Sequence, residues 1–154
     1  MEEYDTLTYQ VKRSPPNPDK LTDNSLITQE RTQKLDLLLH LLANLTHSLV
    51  VCGPEGIGKT TLLRALQEKQ VSSWIYCPIS GNADLSFEKI VQHIARAINQ
   101  ESSKSGSSLS TMFGHFESQN KKIILMLDDA GELVPGLITT LIQYAAANPV
   151  LRLI

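Results

Sequence analysis

Gly53-Pro54-Glu55-Gly56-Ile57-Gly58-Lys59-Thr60 satisfies the pattern G-x-x-x-x-G-K-[ST] at every position. Its flanks have the character the pattern requires. Ser48-Leu49-Val50-Val51-Cys52 reads as a buried strand entering the loop, and Thr61-Leu62-Leu63-Arg64-Ala65-Leu66-Gln67-Glu68 as a helix leaving it. Glycines at 53, 56 and 58 permit a tight turn and let the backbone approach an anion without side-chain collision. Successive N–H groups then form a concave anion site, backed by the positive end of the following helix. Here Lys59 would reach the β- and γ-phosphates of a nucleotide as a mobile point charge, and Thr60 would offer its hydroxyl to Mg²⁺. The expected cradle is Gly53, Pro54, Glu55, Gly56, Ile57, Gly58, Lys59 and Thr60, with Thr61 opening the helix beyond it.

A second signal lies further along. Lys121-Lys122 precede Ile123-Ile124-Leu125-Met126-Leu127, a continuous apolar run that ends in Asp128-Asp129. Such a run marks a strand buried on both faces of a parallel sheet. Acids at its C-terminal end stand where ligands of open α/β folds bind. Read this way it is a Walker B strand, with Asp128 holding Mg²⁺ directly or through water and Asp129 where many such enzymes carry a catalytic Glu. The same residues also suit a plain strand followed by an acidic turn into Gly131. Their place downstream of a phosphate loop favours the first reading.

The bulk properties bound the rest. A chain of 154 residues makes about one domain with one real core. Apolar content of 42% and charged content of 19% are those of an ordinary globular protein. A net charge of −2 supplies no electrostatic argument for nucleic acid or an anionic membrane, so a nucleic-acid partner stays open but unsupported by charge. Cys52 and Cys77 both fall in expected central strands as small buried hydrophobes, which suits a reducing compartment. The histidines at 40, 47, 93 and 115 lack metal-ligand spacing and read as surface or satisfied polar residues. The opening Met1-Glu2-Glu3-Tyr4-Asp5 is acidic and is not a signal peptide. The most apolar helix, Leu35 to Leu45, is interrupted by Asp36, His40 and Asn44 and is too short and polar to span a bilayer. A soluble chain is expected.

Residues 1–25 are polar and contain Ser14-Pro15-Pro16-Asn17-Pro18, which predicts a stiff or loosely docked lead-in segment; Pro15 and Pro18 also have the spacing of a Pro-x-x-Pro ligand. From Thr28 to Leu45 leucines at 35, 38, 39, 42 and 45 form a helical stripe for core packing. After the loop helix, Ser73 to Ile79 predicts a strand stopped by Pro78. A helix capped by Asp84 or Ser86 follows, through Phe87, Ile90, Val91, Ile94, Ala95 and Ile98. Gln100 to Ser108 reads as a Ser-rich loop, 109–119 as a short helix, Leu133 to Ala147 as another helix, and Val150 onward as the start of a strand. Alternating strands and helices at this spacing predict a three-layer α/β/α sandwich around a parallel sheet. The sequence stops inside that last strand, so the sandwich expected is a truncated one.

Val50 to Leu66 resembles the AAA+ branch of P-loop ATPases. Within that branch the chain is similar to the ExeA/GspA secretion ATPases, the TniB transposition ATPases and the ATPase domains of some DamX-like cell-division proteins. Gln29-Glu30-Arg31 with the leucine stripe, and Leu127-Asp128-Asp129-Ala130-Gly131-Glu132-Leu133, carry the same likeness. It covers roughly residues 25–154, so residues 26–154 are expected to be a P-loop ATPase core whose C-terminal strand and lid are missing. The resemblance implies ATP and Mg²⁺ as cofactors, Lys59 and Asp129 as catalytic residues, and Thr60 and Asp128 as metal ligands. Asp129 departs from the Glu usual at that position and is one methylene shorter; Glu132, one turn on, suits a helix start better than a substitute. The resemblance further implies self-association or a protein partner. It places the chain in the cytoplasm, as a free protein or as the cytoplasmic domain of an inner-membrane protein. A motor or switch ATPase is the first functional expectation, a nucleotide-gated binding module with little hydrolysis the second. A small-molecule kinase would need a lid and acceptor pocket, and a GTPase an Asn/Thr-Lys-x-Asp segment that the sequence lacks.

Overall fold

The computed structural model describes residues 28–44, 48–101 and 108–154. The lead-in segment 1–25, His47 and most of the loop expected over 100–108 lie outside the described residues. In chain order the elements are α1 (Gln29–Asn44), α2 (Lys59–Glu68), β1 (Trp74–Ser80), α3 (Phe87–Glu101), α4 (Leu109–Ser118), β2 (Lys122–Asp128), a 3₁₀ turn (Ala130–Glu132), α5 (Leu137–Ala147) and β3 (Leu151–Leu153). The three strands form one parallel sheet in the order β1-β2-β3.

The apolar run in β2 sets this arrangement. Ile123 to Leu127 are all buried. Because strand side chains alternate between faces, Ile123, Leu125 and Leu127 enter one core while Ile124 and Met126 enter another. The first core is filled by Ile90, Ile94 and Ile98 of α3, Met112, Phe113 and Phe116 of α4, and Leu141 and Ala145 of α5. The second is filled by Leu35, Leu38 and Leu42 of α1 and Leu66 of α2. A sheet covered on both faces by helices is an α/β three-layer fold, the class expected from the sequence.

Local chemistry sets most element ends. Ser108 accepts from the Thr111 N–H at 3.3 Å and starts α4. Of the two caps considered for α3, Ser86 takes the role, its hydroxyl accepting from the Lys89 N–H at 3.3 Å. Asp84 instead belongs to a turn in which its own N–H donates to Asn82 Oδ1. The helix expected over 133–147 is shorter than the periodicity suggests. Pro135 disfavours helical backbone at Val134, and Gly136 at φ +87° forms the N-cap of α5.

Two strand expectations change. Ser48 to Cys52 is not a strand: Leu49 N–H donates to Leu153 O at 2.8 Å, but Val50 is 77% exposed and Cys52 is exposed. Apolar composition makes a buried strand only where neighbours cover it, and here the short β3 lies on one side while no described strand pairs the other. Cys52 is therefore not the buried hydrophobe expected, whereas Cys77 is. The Cys77 strand is also not central: β1 is an edge of the described sheet and runs on through Pro78 to Ser80. An edge tolerates proline because no ladder bond is needed on its outer side.

Candidate functional site

The loop of residues 53–58 runs into α2, which begins at Lys59. Ile57 N–H donates to Pro54 O at 3.3 Å, closing the turn. Gly58 caps α2 at φ +96° and ψ +29°, a left-handed backbone that a side chain would strain. The N–H groups of the first turn of α2 consequently face outward at the positive end of the helix. The helix is held from behind by fully buried Leu66 and by Leu62, Leu63 and Ala65, which pack against α1 and β2. Gly53, Pro54, Glu55, Gly56 and Ile57 are exposed along the loop, as is Thr61 on the helix. Lys59 reaches back across the loop, its ammonium donating to Gly53 O at 2.8 Å and Pro54 O at 2.9 Å.

The two sequence motifs meet at one contact. Thr60 Oγ1 donates to Asp128 Oδ2 at 2.7 Å across 68 residues of chain. The other oxygen, Asp128 Oδ1, accepts from the Asp129 N–H at 3.1 Å. A hydroxyl and a carboxylate side by side, both hard oxygen donors, make a pair that fits Mg²⁺. Asp129 itself is exposed and sits at φ +53°, ψ +43°, the left-handed region, which an Asp tolerates better than most residues. So the chain turns sharply between the two acids, one held in the sheet and the other at the surface.

Sequence reasoning missed what supports that turn. Gly81 follows β1, and its N–H donates to Asp128 O at 2.7 Å. A Cβ at Gly81 would overlap the Asp129 carbonyl oxygen and lie 3.1 Å from Asp128 O, so only glycine leaves room for the two acids' backbone. No local signal singled out Gly81, because its constraint comes from residues far along the chain. Beside Lys59, Asp128 and Asp129 opens a cavity of about 390 Å³. Leu49, Val51, Ile138, Ile142, Leu153 and Ile154 give it an apolar wall. Glu132 lines the same cavity from the 3₁₀ turn.

Behind the site, at the opposite end of β2, Lys122 donates to Ala43 O at 2.6 Å near the C-terminus of α1. Burial, with the nearby Arg152 charge adding to it, holds its ammonium below the usual lysine range. Arg152 is itself buried and bonds the carbonyls of Pro149 and Leu151. Cations at a helix C-terminus are electrostatically favourable, which gives this pair a structural role remote from the phosphate loop.

The model of the AAA domain family matches residues 30–150, a span that holds the loop, Thr60, Asp128 and Asp129. No curated protein and no solved structure gives a match. Among the described residues no helix is long and apolar enough to cross a membrane.

Proposed function

The chain belongs to the AAA domain family, and from that premise we propose a Mg²⁺-dependent ATPase site built on residues 53–61, Asp128 and Asp129. Nucleotide binding by a P-loop is the family's common property. The observation that carries the finer reading is the 2.7 Å bond from Thr60 to Asp128, which brings the end of the phosphate loop to the acid expected to share its metal. In this reading the backbone of 53–60 cradles the β- and γ-phosphates, Thr61 extends the cradle, and Lys59 swings from the Gly53 and Pro54 carbonyls to the phosphates. Thr60 and Asp128 would hold Mg²⁺, which when bound would supply charge neutralisation at the phosphate oxygens. Asp129 orients the attacking water. Its carboxylate is a methylene shorter than glutamate, so turnover is slow.

A second reading has an observation of its own. Asp129 stands at the surface in a left-handed turn, and a nucleotide-gated binding module with little hydrolysis needs no more from that position. Within the wider protein the domain serves an envelope-linked machine, as in the secretion and cell-division relatives it resembles; action on DNA, as in the transposition relatives, is the alternative. Self-association is part of the same proposal, as is residence in the cytoplasm.

Calorimetric titration with ATP and GTP, with and without Mg²⁺, tests the site when phosphate release is followed in the same samples. Mg²⁺-enhanced ATP binding with slow release is the expected result. Binding without release selects the gated module. No binding of either nucleotide overturns the reading. Lys59→Ala should weaken ATP binding by about two orders of magnitude, since it removes charge-assisted hydrogen bonds worth roughly 1.5–3 kcal/mol each. Its folding should be unchanged, because among the described residues Lys59 bonds to the Gly53 and Pro54 carbonyls of its own loop.

A further inference from the structure

Side chains alternate between the two faces of a sheet, and here the alternation brings a further hydroxyl to the Thr60–Asp128 pair. In β2, Ile124 and Met126 enter the core filled by α1 and α2, so Asp128 at the end of the strand belongs to that face. In β1, Trp74 and Tyr76 pack against the same core, so Ser80 belongs to that face as well. The parallel register sets Ser80 opposite Asp128, just as Pro78 stands opposite Met126 and Tyr76 opposite Ile124. Gly81 holds this end of the register, its N–H donating to Asp128 O at 2.7 Å. Two strands therefore deliver Ser80 and Asp128 side by side, on the face from which Thr60 approaches in the first turn of α2.

A cavity of about 180 Å³ opens at this point, and Thr60, Ser80 and Asp128 all line it. Its volume is many times what one water needs. The oxygens around it are not equivalent. Asp128 already accepts from Thr60 at Oδ2 and from the Asp129 N–H at Oδ1. The Ser80 hydroxyl is exposed and bonds to none of the described residues. An exposed serine at a strand end needs no role of its own; this one is set apart by its register with the acid and by the cavity they share. Mg²⁺ gives up its waters reluctantly, and the protons of those waters need acceptors. We propose that Ser80 is a positioning residue of the metal site, its hydroxyl oxygen accepting a hydrogen bond from a metal-bound water. The proposal rests on the reading of Thr60 and Asp128 as the Mg²⁺ pair and deepens it. Ser80 acts through the water and not on the ion, and a hydroxyl, which both accepts and donates, suits that place.

The test measures ATP affinity by calorimetry, with Mg²⁺ and with EDTA, for the wild type, Ser80→Ala and Ser80→Thr. Ser80→Ala should bind Mg²⁺-ATP about threefold to tenfold more weakly, the loss of one hydrogen bond. It should bind metal-free ATP as the wild type does, and its thermal midpoint should be unchanged. Mn²⁺ titrated in the presence of ATP and followed by its paramagnetic resonance signal should show the same loss. Ser80→Thr keeps the hydroxyl in a residue that strands accept and should retain wild-type affinity. Equal Mg²⁺-ATP affinity in the wild type and Ser80→Ala overturns the proposal. So does an equal loss with and without metal, which would make Ser80 a support of the loop. A threonine variant as weak as the alanine variant overturns it too, because the hydroxyl would not be the acting group. A wild type that binds ATP equally well with and without Mg²⁺ overturns the metal reading itself, and this assignment with it.

Discussion

Leu49 to Cys52 and Ile123 to Leu127 are both short apolar runs that deliver a chain to the same cleft. In sequence they look alike. In the structure Ile123 to Leu127 is buried throughout, bonded to β1 on one side and β3 on the other, with helices over both faces. Leu49 to Cys52 has one backbone bond to Leu153 and turns Val50 to solvent. The difference teaches that burial belongs to the neighbours and not to the run. It also divides the site mechanically. Asp128 stands at the end of a strand fixed on all sides, whereas the entry to the phosphate loop is fixed on one side and depends on α2 for its position.

The largest effect should come from cutting into the enclosed run. Leu125 is 1% exposed and faces α3, α4 and α5. Leu125→Ala should lower the unfolding free energy by about 2–5 kcal/mol, the sum of lost transfer energy and a cavity that close packing cannot collapse. Denaturant unfolding measures it. A cost below about 1 kcal/mol would mean that β2 is loosely held, and the contrast between the two runs would disappear.

Gly81→Ala is next. Its methyl group meets the Asp129 carbonyl oxygen, and backbone on backbone has no flexible end to yield. Overpacking of this kind costs about 1–3 kcal/mol. The shift should fall on the turn between Asp128 and Asp129, so phosphate release should drop more than ATP affinity, which the loop of 53–60 supplies. Equal losses in both would show that Gly81 supports the fold generally and not the acidic turn.

The two cysteines report the same contrast through their chemistry. Cys52 is exposed at the mouth of the loop and Cys77 is buried in β1 opposite Leu125. Burial pushes the Cys77 thiol from an ordinary value near 9 up to about 12. An alkylating reagent at mildly alkaline pH should modify Cys52 rapidly and Cys77 only on unfolding, as read by mass spectrometry. A pH dependence follows. The unfolded chain releases the Cys77 proton near pH 9 while the folded chain retains it, so the unfolded state binds fewer protons and stability falls as the pH rises from about 9 toward about 12. Cys77→Ala should remove this contribution; an unchanged alkaline slope would assign it to other groups.

What the sequence disclosed and what it withheld follow the same physics. Residues 53–60 are legible because a phosphate loop is local chemistry: its glycines, Lys59 and Thr60 lie within one turn of backbone. Ile123 to Asp128 is legible because burial on both faces leaves a continuous apolar run. The stripes of α1 and α3 are legible by period alone. The exposure of Val50 is not, since it depends on which strand stands beside it. Gly81 and Ser80 are not, since each acquires its meaning from an acid that folding brings beside it, Asp129 in one case and Asp128 in the other. The break before α5 was written in Pro135-Gly136, but the strong helical period around it concealed the signal.

The smallest effect should be at Val50, and it is the sharpest test of the contrast. Val50→Ser exchanges an apolar side chain for a small polar one in a run that sequence alone assigns to a core. In a core, losing that burial and adding a hydroxyl would cost several kcal/mol. At 77% exposure there is little burial to lose, so the expected change in unfolding free energy is within about 0.5 kcal/mol. The apolar cavity wall next to it, formed by Leu49 and Val51 with Ile138 and Ile142, should respond differently. Leu49 and Val51 are partly buried and pack against the core shared by α1, α2 and β2, so Val51→Ser should cost measurably more than Val50→Ser. Two adjacent valines with unequal costs would show that the entry to the loop has one anchored face and one free face. Equal large costs would show instead that both faces are covered in solution, and that this run is as enclosed as β2.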